Sequence, residues 1–259
     1  MNIELIISII FVIFGMMIGS FLNAVIYRVP LGISIARPRS QCTKCKKLIF
    51  WYENIPLLSY IFLRGKCSKC SEPYGIIYPF VEVFIGIVSL LLMPKDLSSQ
   101  SLLIYSFHFS VFCALFCHFC IDIKHQILPD SINIYLGLVL LVYSALFFPM
   151  QHYLLGAVIG FLFPYGVTYI FYKLKGQVGL GGGDIKLFCV LGLFLGPIGI
   201  INNIFLSCFF GALFSLVMMA LGKMSRQSRL AFGPFIILVA VFQIYFPEYF
   251  RAFSRLWSI

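Results

Sequence analysis

Charge is what this sequence of 259 residues has least of. Charged residues make up 11 % of it, where about 25 % is usual in soluble globular domains. Only 9 residues are acidic. So few charges cannot coat a globule of this size, which argues against a soluble protein. An apolar content of 61 % excludes disorder as well as collagen, and 9 cysteines in so long a chain do not make a small disulfide scaffold. What remains is a polytopic membrane protein. The formal net charge of +10 then needs a location, because in a soluble chain it would suggest nucleic acid.

A membrane helix needs about 20 mostly apolar residues. Leu5 to Tyr27, Gly75 to Met93 and Leu102 to Ile121 each supply one, the second carrying a single acid, Glu82. Ser131 to Tyr172 has no charged residue and suits two helices broken at Phe148 to His152. Leu187 to Gly222 suits two more, with a break from Gly196-Pro197 to Asn203, where proline and paired asparagines favour a turn. Leu230 to Phe246 is the last. The expectation is an all-α protein of about eight spans. The N-terminus lacks the basic region of a secretory signal, carries Glu4 and has too long an apolar run, so it reads as a retained span.

Basic residues sort these connections by side. Nine lie between 28 and 75; Lys124, Lys173, Lys175, Lys186, Lys223, Arg226 and Arg229 fall on the same side, against Lys95, Arg251 and Arg255 on the other. Sixteen of nineteen on one side marks it as cytoplasmic. The loop is 9 basic to 2 acidic. Four thiolates on a Zn²⁺ ion would lower its charge to about +5, which suits an anionic membrane surface and needs no nucleic acid.

That loop holds Cys42-Thr43-Lys44-Cys45 and Cys67-Ser68-Lys69-Cys70. Paired C-x-x-C on a reducing face points to a metal, and four converging thiolates to structural zinc. A metal would supply folding energy that so short a loop can hardly obtain from an apolar core. Between the pairs, Trp51-Tyr52-Glu53-Asn54-Ile55-Pro56 and Arg64-Gly65-Lys66 present a carboxylate, an amide, a guanidinium and an ammonium among aromatics. They read either as a pocket for a charged small molecule or as a solvated loop. Cys113, Cys117 and Cys120 share a helix face and read as packing.

Among the scarce acids, Asp122 ends the third span and Asp184 follows Gly181-Gly182-Gly183 at the start of the sixth. Both fall at the cytoplasmic boundary. Two carboxylates close together in a partly dry site divide the roles of acid and base, which is aspartic-protease chemistry. The glycines would let a substrate strand approach the backbone. They do not read as a phosphate loop, because no G-K-[ST] follows and no strand precedes. Asp130, after Leu128-Pro129, is the rival second carboxylate, although a helix N-cap explains it better. Glu82 is a functional candidate as an intramembrane acid. His118 and His125, near Asp122, read as packed or hydrogen-bonded groups. A transporter or assembly factor using the two aspartates for ions is the non-enzymatic alternative.

These segments together resemble the type IV prepilin peptidases, the bifunctional leader peptidase/N-methyltransferases. The resemblance runs from Gly19-Ser20-Phe21-Leu22-Asn23 to the last spans. It includes both C-x-x-C pairs, Trp51 to Pro56, Arg64-Gly65-Lys66-Cys67, Tyr78-Pro79-Phe80-Val81-Glu82, Ile121-Asp122, Leu128-Pro129-Asp130, Gly181 to Lys186 and Phe232-Gly233-Pro234-Phe235. It implies an enzyme of the cell (inner) membrane acting on prepilins or pseudopilins of type IV pili or type II secretion. Such an enzyme cleaves a leader after a glycine on the cytoplasmic face, then methylates the new N-terminus with S-adenosylmethionine. Asp122 and Asp184 would be the catalytic pair, and Cys42, Cys45, Cys67 and Cys70 the zinc ligands. Glu53, Asn54, Gly65 and Lys66 would bind the methyl donor, Gly65 and Lys66 matching positions the family associates with methyl transfer. The chain would divide into a first span (1–27), a zinc-binding N-methyltransferase loop (28–75) and a transmembrane peptidase domain (76–259). Departures are small: Thr43 replaces a frequent proline and Ala24 a common valine.

Overall fold

The computed structural model describes residues 3–37, 39–42, 44–177, 179–225 and 230–255, with no side-chain description for 253–255. Thr43, Arg226, Arg229 and the Arg255 side chain lie outside the described residues. Among the described residues the regular structure is helical, and the only β pairing is two isolated bridges. The helices are α1 (Ile3–Arg28), α2 (Leu58–Phe62), α3 (Ile77–Leu91), α4 (Ser99–His125), α5 (Asp130–Phe147), α6 (Met150–Lys175), α7 (Gly182–Ala220), α8 (Gly233–Tyr245) and α9 (Pro247–Arg255). Five runs, Ile3–Leu31, α4, α5, α6 and α7, are long and apolar enough to cross a membrane, and α3 and α8 are shorter apolar helices. The chain is therefore a multi-pass membrane protein. It falls into two compact units, residues 1–113 and 114–259, with the division inside α4.

In the first unit α1 packs on α3. Between lipid-exposed helices there is little hydrophobic drive, so close approach at small residues holds them together. Gly15 and Gly19 form such a pair: a Cβ at Gly15 would lie 2.5 Å from the Ser89 Cβ, and one at Gly19 would lie 2.8 Å from the Glu82 Cα. The contact also settles buried polar groups. The Ser89 hydroxyl donates to the Phe11 carbonyl at 2.7 Å, so Tyr105 on α4 must donate in its own 2.7 Å bond to Ser89.

In the second unit the break between α5 and α6 falls at Phe148-Pro149, inside the expected segment, because Pro149 has no N–H with which to continue a helix. α6 and α7 meet glycine to glycine, with Gly156 and Gly192 each against the other's backbone. α7 is bent at Gly196, whose φ of 67° and ψ of −176° leave the helical region ahead of Pro197. His152 packs on that bend, its Nε2 3.2 Å from the Phe194 carbonyl. The contact is a hydrogen bond when the ring proton sits on Nε2.

The break is narrower than the sequence suggests, for Asn203 belongs to the helix. It is fully buried, and its amide donates to the Gln243 side chain at 2.8 Å and lies 3.4 Å from the Ile236 carbonyl on α8. A polar pair satisfied across two helices removes the reason for a turn. Of the three cysteines read as packing, Cys113 and Cys117 are buried and Cys120 is half-buried.

Candidate functional site

The four loop cysteines converge, and they do so by repetition. The Cys42 N–H donates to the Lys47 carbonyl at 2.9 Å, and the Cys67 N–H donates to that of Glu72 at 2.8 Å. Each turn closes through a second bond of 3.0 Å, from Lys46 to the Cys42 carbonyl and from Ser71 to that of Cys67. Lys46 and Ser71 hold the same left-handed conformation, with φ of 57° and 56°. Two copies of one knuckle thus face each other.

Their ligand sulfurs lie within 4.8 Å of one another, at 3.7 Å for Cys42 to Cys70 and 3.9 Å for Cys45 to Cys67. Sulfurs about 2.3 Å from a tetrahedral zinc ion would stand about 3.8 Å apart, so these four thiols fit that ion. Main-chain N–H groups of Cys70 and Lys69 outweigh burial and hold the Cys67 thiol down to about 6, which favours a ligating thiolate.

Glu53 ties the knuckles together. It sits in a 3₁₀ turn, Trp51–Asn54, and accepts from Lys47 Nζ at 2.9 Å, from the Ser68 hydroxyl and from the Phe50 N–H at 3.0 Å. Burial pushes its carboxyl up, but the donors from Ser68, Phe50 and Lys47, with the lysine charge, bring it down to about 2. It is a permanent anion whose oxygens are already committed to the two knuckles.

Beside this module lies a cavity of about 380 Å³, within the roughly 300–1,000 Å³ of small-molecule sites. Of the residues expected to bind a methyl donor, Glu53 and Asn54 line it, while Gly65 and Lys66 do not. Gly65 acts one step away. Its φ is 65°, and a Cβ there would fall 2.9 Å from the Tyr60 ring, which does line the cavity. Lys66 is exposed. Sequence reasoning missed Ser20, Asn23, Tyr27, Tyr60, Tyr74 and Tyr78, which share the wall with Glu82. The signal was available in part, since Ser20, Asn23 and Tyr78 all lie in the motifs that carry the family resemblance.

The second unit brings the two aspartates together. Asp122, in the last turn of α4, is only 4 % exposed and accepts the N–H of Gly233 at the start of α8. Its Oδ2 is buried with no hydrogen-bond partner. Asp184, in the first turn of α7, accepts the N–H of Gly181, and Asp122 lies close enough for its charge to act on it. Leu128 wedges between glycines: Cβ atoms at Gly183 and Gly233 would lie 3.1 Å and 3.2 Å from its side chain. The Leu128-Pro129 segment therefore shapes the floor.

Asp130 does not take the place the sequence suggests. It is not an N-cap, because Pro129 occupies that position and Asp130 is the first helical residue. Its carboxylate is exposed and grips Lys186 Nζ at 2.7 and 2.9 Å. The N–H groups of Ile132 and Asn133 in the first turn already donate to the Pro129 carbonyl, so the Asp130 carboxylate is left for the ion pair with Lys186. His118 is fully buried one turn before Asp122, in keeping with a packed group.

Gly233 is the tightest test of this geometry. A Cβ there would lie 2.7 Å from Asp122 Oδ2, so Gly233→Ala is expected to displace the carboxylate. A misplacement of about 1 Å costs roughly 100-fold in rate. If the leader cleavage that the family resemblance implies runs on Asp122, initial rates of that cleavage by the purified variant check this, and an unchanged rate would show that Asp122 need not sit where Gly233 holds it.

The chain thus belongs to a class of helical membrane proteins that join a four-thiol knuckle module to a pair of aspartates at helix ends. Residues 13–95 match the bacterial peptidase A24 N-terminal domain, and residues 109–216 match the type IV leader peptidase family. Prepilin leader peptidase/N-methyltransferases are similar over most of their length. That of Pseudomonas putida is 31 % identical over 250 residues, covering 86 % of this chain and 85 % of the relative. That of Neisseria gonorrhoeae is 32 % identical over 251 residues, covering 85 % and 84 %. That of Dickeya chrysanthemi is 33 % identical over 247 residues, covering 86 % of each. No solved structure matches. The chain belongs to the prepilin leader peptidase/N-methyltransferase family.

Proposed function

We propose that this protein cleaves the leader peptide of type IV prepilins or pseudopilins and methylates the N-terminus it exposes. The observation that carries the reading is the meeting of Asp122 and Asp184, from helices distant in sequence, in one partly buried site. One carboxylate takes a proton from water as the water attacks the scissile carbonyl, and the other gives a proton to the carbonyl oxygen. The proton then returns to the leaving amine, which departs as the new N-terminus.

In this reading Cys42, Cys45, Cys67 and Cys70 hold structural zinc. It supplies folding energy to the loop and takes no part in either reaction. S-adenosylmethionine supplies an electrophilic methyl group when bound. The cavity beside the knuckles is its site, lined by Glu53 and Asn54, with Gly65 acting through Tyr60. Lys66 is exposed and stands outside the cavity wall, so in this reading it does not hold the donor directly. The excess of basic residues supports a cytoplasmic position for the loop and both aspartates at the cell membrane. The freed amine then need not cross the bilayer. Eight spans result if α7 counts as two helices about its bend.

Purified protein given a full-length prepilin and S-adenosylmethionine tests the reading by mass spectrometry of the product. The expected mass is that of the mature chain plus one methyl group. An intact prepilin would overturn the whole reading, and a cut but unmethylated chain would overturn its second half.

A further inference from the structure

The cavity in the first unit has two lining carboxylates, and they differ in what they are free to do. Glu53 is held by Lys47, Ser68 and the Phe50 N–H. Glu82, on the second turn of α3, is 9 % exposed and accepts one main-chain bond, from the Leu57 N–H to its Oε2 at 2.8 Å, and one from the Ser20 hydroxyl. A carboxylate has about four acceptor positions, so two donors leave it with capacity toward the cavity. No lysine or arginine pairs with Glu82 among the described residues. An acid in an apolar helix without a cationic partner is costly, and in membrane proteins such a group marks a functional site, a substrate path or a proton relay among them.

Around it the cavity presents the side chains of Tyr27, Tyr60, Tyr74 and Tyr78, and Arg28 and Lys46 are also on its wall. Aromatic faces attract cations that are weakly hydrated, as a sulfonium is. Two of the rings are fixed by the fold. Gly65 leaves room for the Tyr60 ring at a distance no side chain would allow, and the Tyr74 N–H donates to the Gly65 carbonyl at 2.7 Å.

Resting on the methyltransferase reading above, we infer that Glu82 is the group that receives the substrate's N-terminal ammonium, with the tyrosines facing the sulfonium of the donor. The ammonium docks against the carboxylate and gives it one proton, leaving a free amine. The amine nitrogen takes the methyl carbon as the carbon–sulfur bond breaks, and its electron pair remains on sulfur as a neutral thioether. The product is a secondary ammonium, and the proton on Glu82 leaves to solvent. The two positive charges that enter the cavity are thereby reduced to one on the product and one proton released. One lining carboxylate that keeps acceptor positions beyond its bonds from Leu57 and Ser20 suffices for that sequence.

The full-length protein in detergent is the material for the test. Three quantities are read: methylation of a mature pilin with a free N-terminus, calorimetric affinity for S-adenosylmethionine and S-adenosylhomocysteine, and zinc content as a check on folding. Glu82→Gln keeps the acceptor for Leu57, and it is expected to lower kcat for methylation by about 100-fold or more. Donor affinity should change far less, by under about threefold, and Glu82→Asp should restore part of the rate. Tyr60→Leu is expected to weaken binding of the sulfonium by about tenfold, and of the thioether by less. A zinc-loaded Glu82→Gln protein methylating at the wild-type rate would overturn the role of Glu82. Unchanged donor binding in Tyr60→Leu would overturn the cavity as the donor site. If the wild-type protein binds no donor and transfers no methyl, the methyltransferase reading itself fails, an outcome distinct from both.

Discussion

Asp122→Asn and Asp184→Asn are each expected to lower the rate of prepilin cleavage by about 10²–10⁴-fold, the range that a positioned acid or base supplies. An asparagine keeps the shape and can still accept the N–H of Gly233 or Gly181, so folding should survive. It can neither take a proton from water nor give one to a carbonyl oxygen. The two variants should fail alike, and the double variant should be little worse than either, because groups that act as one unit are not additive. Gel-shift kinetics on a purified prepilin measure these rates. If either variant cleaves at more than about a tenth of the wild-type rate, the aspartate pair is not the catalytic centre.

If the four thiols hold zinc, as proposed, its loss should have the second largest effect. Cys67→Ser removes the ligand at the head of the second knuckle, and structural zinc in such modules contributes roughly 10–16 kcal/mol of apparent binding energy at neutral pH. Zinc per chain, read by elemental analysis, is expected to fall from one to near zero, and methylation to fall below detection. The loop should also become open to protease between the knuckles. Lys47 and Ser68 reach Glu53 only when the knuckles are brought together, so the wall of the cavity disperses with them. A variant that keeps one zinc per chain would show that the four thiols are not its ligands.

Much of this arrangement could be read from the residues. The four cysteines declare themselves because both ligand pairs sit on local turns, where spacing dictates geometry. Phe148-Pro149 declares a helix break because proline acts on its own neighbours. Asp122 and Asp184 stand out because so few acids compete with them.

The misreadings all concern groups whose partners lie far along the chain. Asn203 looked like a turn residue because nothing near it reveals Gln243, forty positions on. Asp130 looked like a cap because Lys186 is fifty-six positions away. The cavity was legible only as Glu53 and Asn54. Its other wall depends on α1 and α3 meeting at Gly15 and Gly19, a contact that brings Ser20 and Asn23 to the level of Tyr78 and Glu82.

The bend in α7 bears on the lipid itself. From Gly182 to the bend at Gly196 the helix has fourteen residues, and at 1.5 Å per residue these reach only about 21 Å. α3 and α8, with 15 and 13 residues, are comparably short, while the hydrocarbon core of a bilayer is about 30 Å thick. Acyl chains around such helices must shorten or tilt to meet them, because exposing the ends of apolar helices to water costs more than deforming the lipid. Beside these short helices, and not beside α1, α4 and α6 with their 26 or 27 residues, the bilayer is expected to thin, which brings water and polar peptide closer to the midplane there.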